Sequence, residues 1–202
     1  VAAYVADLAR KYDTAGTERT FSTYDNRDIT VSGGNYGWVI DQQKESNALY
    51  KDITEKKTEV REPVYEQKAA SRKINDIGYS YIEIDLSAQR MVLYQSGSPV
   101  VDTGLVADSS TPTGIYALGE KESSAVPGGG AGETVNFWMP FTDKIGIYGK
   151  AGLDVTGYDF SDDADIAAFG SDDESSGTSV FSDSWPGIEG CIAVPEEQAQ
   201  AI

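Results

Sequence analysis

Cys191 is the one cysteine in the 202-residue sequence, and it lies where a nucleophile could be presented. The stretch 184–195 reads Ser-Trp-Pro-Gly-Ile-Glu-Gly-Cys-Ile-Ala-Val-Pro, so a turn and a glycine precede the thiol and an apolar alternation follows it. Pro195 suits the first position of a closing helix, where its missing N–H is not needed. A thiol placed in this way can attack a carbonyl carbon. A buried and inert cysteine is the alternative interpretation.

Glu189 is the ionisable residue nearest to the thiol in the sequence. If the segment is extended, residues 189 and 191 share a face, and the carboxylate could then lie near the sulfur. Moving a proton from a thiol of pKa about 8.5 to a carboxylate of pKa about 4.3 costs roughly 5.7 kcal/mol. The sequence contains no histidine, so the usual general base and the commonest metal ligand are both absent.

The segment 150–184 is rich in Asp, Ser and Gly, and it offers the one candidate for metal binding. Asp159, Asp163 and Asp165 alternate with other residues, as oxygen ligands of calcium often do. The EF-hand pattern fails, because alanine stands at its sixth position and glycine at its twelfth. A long solvated loop is the simpler interpretation, and we expect neither a cofactor nor a bound metal.

The charge of the chain excludes one large class of partners. The formal net charge is −17, and residues 151–202 contain 12 acidic residues and no basic one. Such a surface repels phosphate backbones, which argues against nucleic-acid binding. No run of eighteen apolar residues occurs, so no segment of this sequence is predicted to span a membrane.

The hydrophobic pattern predicts two domains of different class. Residues 1–66 are predicted to form a small α+β domain, and residues 67–78 form a polar linker. The predicted elements of the first domain are a helix over 1–16, a hairpin over 19–32, an extended segment over 36–40, a helix over 41–56 with Leu49 and Ile53 inward, and a strand over 60–64.

From Tyr79 onward the sequence changes to short strands separated by Gly and Pro turns, which indicates a mainly β fold, a sandwich or barrel. The predicted strands are 79–85, 90–95, 99–106, 115–118, 135–140 and 145–149.

Four short motifs in this second domain resemble the catalytic domain of the L,D-transpeptidases, the YkuD family. They are Tyr-Ile-Glu-Ile-Asp-Leu at 81–86, Thr-Pro-Thr-Gly-Ile-Tyr at 111–116, Phe-Trp-Met-Pro-Phe at 137–141 and Ile-Gly-Ile at 145–147. Residues 1–78 resemble the small α/β domain that precedes it in some Gram-positive members. The resemblance implies a β-sandwich over 79–202, with an acidic insertion at 150–184, and peptidoglycan contact by the first domain.

The resemblance also assigns roles to individual residues. In the family, a histidine acts as base and a Ser/Thr-His-Gly-Cys motif carries the nucleophile that acylates and cross-links peptidoglycan stem peptides. Here Cys191 keeps the nucleophile position, whereas Tyr148 and Glu189 stand at the positions of the two histidines. The backbone of Gly190 and Cys191 is expected to bind the oxyanion. The expected substrate contacts are Trp138, Tyr148 and Trp185.

Three functions remain open at this level. The chain could bind peptidoglycan stem peptides or a cell-wall partner with catalysis weak or lost. It could be an active cysteine L,D-transpeptidase that acts through Cys191, or a structural surface protein that keeps only the fold. In each case the resemblance implies an extracytoplasmic protein, in the cell wall or anchored on the outer face of a Gram-positive bacterium by a segment outside this sequence.

Overall fold

The computed structural model describes residues 1–129, 132–155 and 188–202. The chain divides into two compact units. The first consists of Val1–Gly78 with the short segment Thr113–Ala117. The second consists of Tyr79–Pro112 and the described residues from Leu118 onward. The main chain therefore changes unit between Gly78 and Tyr79, where the sequence pattern also changes.

Two helices and two small antiparallel sheets make up the first unit. Its elements are α1 (Ala2–Tyr12), β1 (Arg19–Ser22), β2 (Asp28–Val31), β3 (Val39–Ile40), α2 (Gln42–Thr54) and β4 (Tyr65–Gln67). β1 pairs with β2, and β3 pairs with β4. Val5 and Ala9 lie four residues apart on one face of α1, and this spacing lets both pack against Ile40. Asp41 caps α2, since its carboxylate accepts a 2.9 Å hydrogen bond from the backbone N–H of Lys44.

The first helix is shorter than the sequence predicts. It ends at Tyr12 and not at Gly16, because Asp13 already has an extended backbone. The carboxylate of Asp13 accepts a 2.9 Å hydrogen bond from the backbone N–H of Ile40, and this tertiary contact ends the helix. The positive φ of Gly16, +70°, serves the turn that follows.

Two further predictions for the first unit are wrong. Residues 60–64 form no strand, and the pairing begins only at Tyr65. Val60 is fully exposed, so there is no buried face to favour a strand at this point. Ile53, expected to face inward, is also largely exposed on α2.

A buried ion pair holds the end of residues 67–78, the segment predicted to be a linker, within the first unit. The Arg19 guanidinium donates a 3.1 Å hydrogen bond to the Asp76 carboxylate and a 2.8 Å one to the carbonyl of Thr14. The Thr14 hydroxyl also donates to Asp76. Because the Arg19 and Asp76 side chains are both nearly buried, each supplies the charge that balances the other.

The segment Thr113–Ala117 pairs within the first unit and not within the β domain in which the sequence placed it. The backbone N–H of Tyr36 donates to the carbonyl of Ile115 at 3.0 Å, and the N–H of Ile115 donates to the carbonyl of Gly33 at 3.2 Å. A Cβ atom on Gly34 would lie 2.0 Å from the Ile115 carbonyl oxygen, so only glycine permits this approach. The predicted strand 115–118 is reduced to one bridge, between Gly34 and Ile115.

Two sheets and a short helix form the described part of the second unit. Its elements are β5 (Tyr81–Asp85), β6 (Arg90–Gln95), β7 (Ser98–Gly104), β8 (Glu122–Ala125), β9 (Val135–Pro140), β10 (Gly146–Lys150), β11 (Ile192–Pro195) and α3 (Glu196–Ala201). The first sheet has the order β5-β6-β7, and the second has the order β11-β10-β9-β8. The largest fully buried side chains of this unit are Met91, Leu105, Met139, Ile147, Ile192 and Val194.

The predicted fold class, mainly β with a small α+β unit at the N-terminus, is confirmed. The strand β8 is absent from the prediction, because Glu-Ser-Ser-Ala at 122–125 has neither branched nor aromatic residues. β8 forms through antiparallel pairing with β9.

The sequence predicts Pro195 at the first position of the closing helix. It lies one residue earlier, at the N-cap of α3, which begins at Glu196. Across the described ranges, no helix combines the length and apolarity needed to cross a membrane.

Candidate functional site

Two neighbouring strands place Cys191 in the second sheet. β10 and β11 run parallel, with Ile147 opposite Ile192 and Tyr148 opposite Ala193, and Cys191 comes directly before β11. On the other side of β11, Val106 and Ala193 exchange two backbone hydrogen bonds of 2.8 and 2.9 Å. The backbone that follows the thiol is therefore hydrogen-bonded on both sides.

A tight turn over residues 188–191 presents the thiol. The backbone N–H of Cys191 donates to the carbonyl of Ile188 at 2.9 Å, which closes the turn. Gly190 adopts φ +74°, and a Cβ atom there would lie 3.1 Å from Ile145 Cδ1 and 3.3 Å from the carbonyl oxygen of Ser110. The glycine before the cysteine is therefore needed for both its backbone conformation and its small size.

The Cys191 side chain is 4% exposed and lies against backbone groups of the loop before β10. Its Sγ donates to the carbonyl of Lys144 at 3.7 Å, and the backbone N–H of Gly146 hydrogen-bonds to the sulfur. Burial raises the pKa of the thiol, and the negative charge of Asp108 raises it further. The hydrogen bond from Gly146 favours the thiolate but does not outweigh these effects. The thiol is thus held protonated at neutral pH.

Tyr148 packs in the same buried cluster as Cys191 and is itself 4% exposed. Burial, with smaller contributions from Cys191 and Glu133, raises the pKa of its phenol to about 12, against a lowering hydrogen bond from the Ile188 backbone. The phenol is therefore neutral at physiological pH. It can donate a hydrogen bond, but it cannot take a proton from the thiol in the way an imidazole does.

Glu189 lies in the turn and is exposed. The hydrogen bond between Cys191 and Ile188 shows that residues 188–191 are turned and not extended. The alternation that would have brought the Glu189 carboxylate to the face of the thiol is therefore absent. A role for Glu189 as base remains a prediction that this geometry does not favour.

Asp108 belongs to the site although the sequence analysis did not identify it. Its carboxylate accepts a 3.0 Å hydrogen bond from the backbone N–H of Gly190 and a 2.6 Å one from that of Ser110. Burial acts to raise the pKa of this carboxyl, but the hydrogen bonds from Gly190 and Ser110 outweigh it and leave the pKa below its usual value. The Asp-Ser-Ser sequence at 108–110 is a local turn signal, but nothing in it points to a residue 82 positions away.

The two backbone donors predicted for an oxyanion already have acceptors within the protein. The Gly190 N–H donates to Asp108, and the Cys191 N–H donates to the carbonyl of Ile188. An oxyanion at this position would have to compete with a carboxylate and with a turn hydrogen bond. Oxyanion binding by these groups therefore stays a prediction.

The predicted substrate contacts differ in accessibility. Trp138 is 4% exposed and packs in the cluster with Cys191 and Tyr148, so its ring contributes to the core. Tyr148 and Ile188 line a cavity of about 230 Å³, together with Glu133 and Asn136. A cavity of about 430 Å³ is lined by Phe137, Lys150 and residues of α3, and Tyr148 is not part of its lining. Cys191 lines neither of these two cavities.

Several predicted residues lie outside the described ranges. They are Trp185, the calcium candidates Asp159, Asp163 and Asp165, and most of the insertion 150–184. Within the residues that the structure describes, no group of three or more acidic, cysteine or histidine side chains could hold a metal ion.

Comparison with known families gives two matches that together cover most of the chain. Residues 79–202 match the family described as the L,D-transpeptidase catalytic domain, YkuD. Residues 1–61 match the family described as "Putative peptidoglycan binding domain". The search of curated proteins found no match.

Two solved structures resemble the chain over almost its whole length. A mutant of the Enterococcus faecium L,D-transpeptidase is 25% identical, with a TM-score of 0.63, over 99% of this chain and 75% of that one. The avibactam carbamoyl enzyme of Ldtfm is 24% identical, with a TM-score of 0.62, over 99% of this chain and 73% of that one. The second likeness shows the fold alone.

Proposed function

This chain belongs to the L,D-transpeptidase family, and we propose that it binds peptidoglycan stem peptides while its acyl-transfer step is weak or lost. The observation that carries the proposal is the environment of Cys191. The thiol is buried, its pKa is raised, Tyr148 is a neutral phenol, and Glu189 is exposed in the turn. The proposed site corresponds to the family's catalytic site and consists of Cys191, Tyr148 and Glu189.

The thiolate is the attacking species in cysteine acyl transfer, so the missing base matters for the rate. A positioned general base contributes typically about 10²–10⁴-fold. Tyr148 is a neutral phenol, and Glu189 is exposed in the turn before the thiol. Since the sequence has no histidine, no imidazole elsewhere in the chain can replace them.

Binding is the part of the family's function that the chain retains in this proposal. The match of residues 1–61 to a peptidoglycan-binding family supports cell-wall association, with peptidoglycan as the partner. We assign this role to residues 1–66 and the stem-peptide site to residues 79–202. The cavity beside Tyr148 is the proposed stem-peptide cleft, and Trp185 is a proposed further contact. The proposed location is the outer face of a Gram-positive bacterium, through an anchor outside this sequence.

An active cysteine L,D-transpeptidase is the second candidate. It is favoured by the intact turn with Gly190 before Cys191, and by the hydrogen bond from the Gly146 backbone to the sulfur. That hydrogen bond stabilises a thiolate. Slow turnover through Cys191 without a side-chain base would be consistent with these two features.

Binding and acylation can be measured on the same protein. The full chain is mixed with purified peptidoglycan sacculi, and the bound fraction is compared with that of Cys191→Ala. The intact mass is followed during incubation with avibactam, the compound that carbamoylates Ldtfm. We expect equal binding by both proteins and little or no mass increase. Failure to bind sacculi would contradict the proposal, and complete carbamoylation within minutes, absent from Cys191→Ala, would favour the active enzyme.

A further inference from the structure

We infer that Asp108 is a positioning residue for Cys191: its carboxylate holds the turn that presents the thiol and so fixes the surroundings in which the sulfur reacts. The inference shares its cysteine with the proposed function, but it concerns the chemistry of the thiol without any peptidoglycan. Asp108 lies outside all four motifs on which the family resemblance of the second domain rests.

The segment 106–111 hydrogen-bonds to residues before and after Cys191 in the chain. Val106 forms two backbone hydrogen bonds with Ala193, two residues after the thiol. Asp108 accepts the N–H of Gly190, one residue before it, at 3.0 Å. Because both flanks of Cys191 are bonded to one short segment, a shift of that segment would move the thiol with it.

The Asp108 carboxylate is itself held in place. The backbone N–H of Ser110 donates to its second oxygen at 2.6 Å, and the Ser110 side chain also hydrogen-bonds to it. The backbone N–H of Thr111 donates to the Asp108 carbonyl at 3.2 Å and closes a local turn. Charge-assisted hydrogen bonds of this kind are about twice as strong as neutral ones. The carboxylate is therefore a rigid support for the Gly190 turn.

The same carboxylate acts on the sulfur through its charge. It opposes ionisation of the thiol, because two negative charges in a partly buried site repel each other. Three other titratable residues flank the thiol. Tyr148 on β10 is neutral, Glu189 is exposed in the turn, and Lys144 offers its carbonyl while its side chain is exposed. Among the described residues, Asp108 is thus the charged group whose removal is expected to change the pKa of the thiol.

Two substitutions separate support from charge. Asp108→Asn keeps a single oxygen acceptor, enough for the N–H of Gly190 but not also for that of Ser110, and removes the charge. Asp108→Ala removes both. Asp143→Asn is the matched control, since it makes the same change in net charge on an exposed residue of the loop before Lys144.

The experiment measures the rate of Cys191 alkylation by iodoacetamide against pH, by intact mass, together with urea unfolding. We expect Asp108→Asn to lower the midpoint of alkylation and so to increase the fraction of thiolate at pH 7, because one negative charge that opposes ionisation is removed. Asp108→Ala should show a similar shift and unfold at a clearly lower urea concentration than Asp108→Asn. Asp143→Asn should match the wild type in both measurements.

Two results would overturn the inference. An alkylation midpoint for Asp108→Asn equal to that of the wild type would show that the charge does not act on the thiol. Equal urea midpoints for Asp108→Ala and the wild type would show that the carboxylate does not support the turn. Neither result depends on sacculus binding or on avibactam, so the inference and the proposed function can fail separately.

Discussion

Tyr148 and Cys191 pack in the same buried cluster. Tyr148 on β10 lies opposite Ala193 on the parallel strand β11, and Ala193 is two residues after Cys191. Tyr148, which the family resemblance places at the position of the base, therefore packs beside the thiol. What differs is its proton chemistry. A phenol with a pKa of about 12 stays neutral where an imidazole would accept a proton.

Tyr148→His should increase the rate of Cys191 acylation. An imidazole has a pKa of about 6.5, close to working pH, and a positioned base is worth about 10²–10⁴-fold. The measurement is the rate of carbamoylation by avibactam, followed by intact mass.

Tyr148→Phe is the control for this substitution, because it keeps the ring and removes the hydroxyl. It should not accelerate the reaction. If Tyr148→His folds and reacts no faster than Tyr148→Phe, the proposal that a missing histidine at this position limits acylation is wrong.

The phenol of Tyr148 should ionise only near pH 12. Its pKa in the folded protein is raised, so its contribution to stability is present below pH about 10 and is lost as the pH rises through 12. Subtracting the tyrosinate absorbance titration of Tyr148→Phe from that of the wild type isolates this phenol. The difference should stay flat to about pH 11, and a step near pH 10 would show an ordinary, solvated tyrosine.

The sequence could predict the fold class, because it depends on local patterns, whereas the roles of the site residues remain predictions. The alternation of apolar residues indicated β5, β6 and β9. The predicted turn at Pro186-Gly187 lies outside the described ranges, and the turn at 188–191 lies where the sequence analysis considers an extended segment. Asp108 escaped prediction because its partner Gly190 is 82 residues away. The segment 113–117 has residues typical of a strand, but the close approach of Ile115 to Gly34 decides where the segment pairs. Long-range contacts of this kind leave no periodic signal.

Glu189→Gln should leave the alkylation profile of Cys191 unchanged. The carboxylate of Glu189 is exposed in the turn, so water screens its charge and it has no fixed contact with the sulfur. The measurement is the pH midpoint of iodoacetamide alkylation. A shift of this midpoint, or a fall in acylation rate, would restore Glu189 as the candidate base.

Asp76→Asn should strongly destabilise the first unit. Asp76 and Arg19 form a nearly buried pair at 3.1 Å, and removing one charge leaves the other without its partner. Breaking such a pair costs about 3–5 kcal/mol in the free energy of unfolding. Asp7→Asn, in the exposed pair with Arg10, is the control and should cause no measurable change. Equal urea midpoints for the two variants would contradict a structural role for Asp76.

Gly190→Ala should destabilise the second unit and loosen the thiol turn. A left-handed backbone costs a non-glycine residue about 1–2 kcal/mol, and here the new methyl group would also press on Ile145 and the Ser110 carbonyl. Gly152→Ala is the matched control, because Gly152 has the same φ of +74° but no atom of the described residues within 4 Å of the added Cβ. Both variants should lose stability in urea, Gly190→Ala by more, and only Gly190→Ala should speed alkylation of Cys191. Equal losses would mean that backbone strain alone selects glycine, and an unchanged alkylation rate would mean that the turn does not govern access to the thiol.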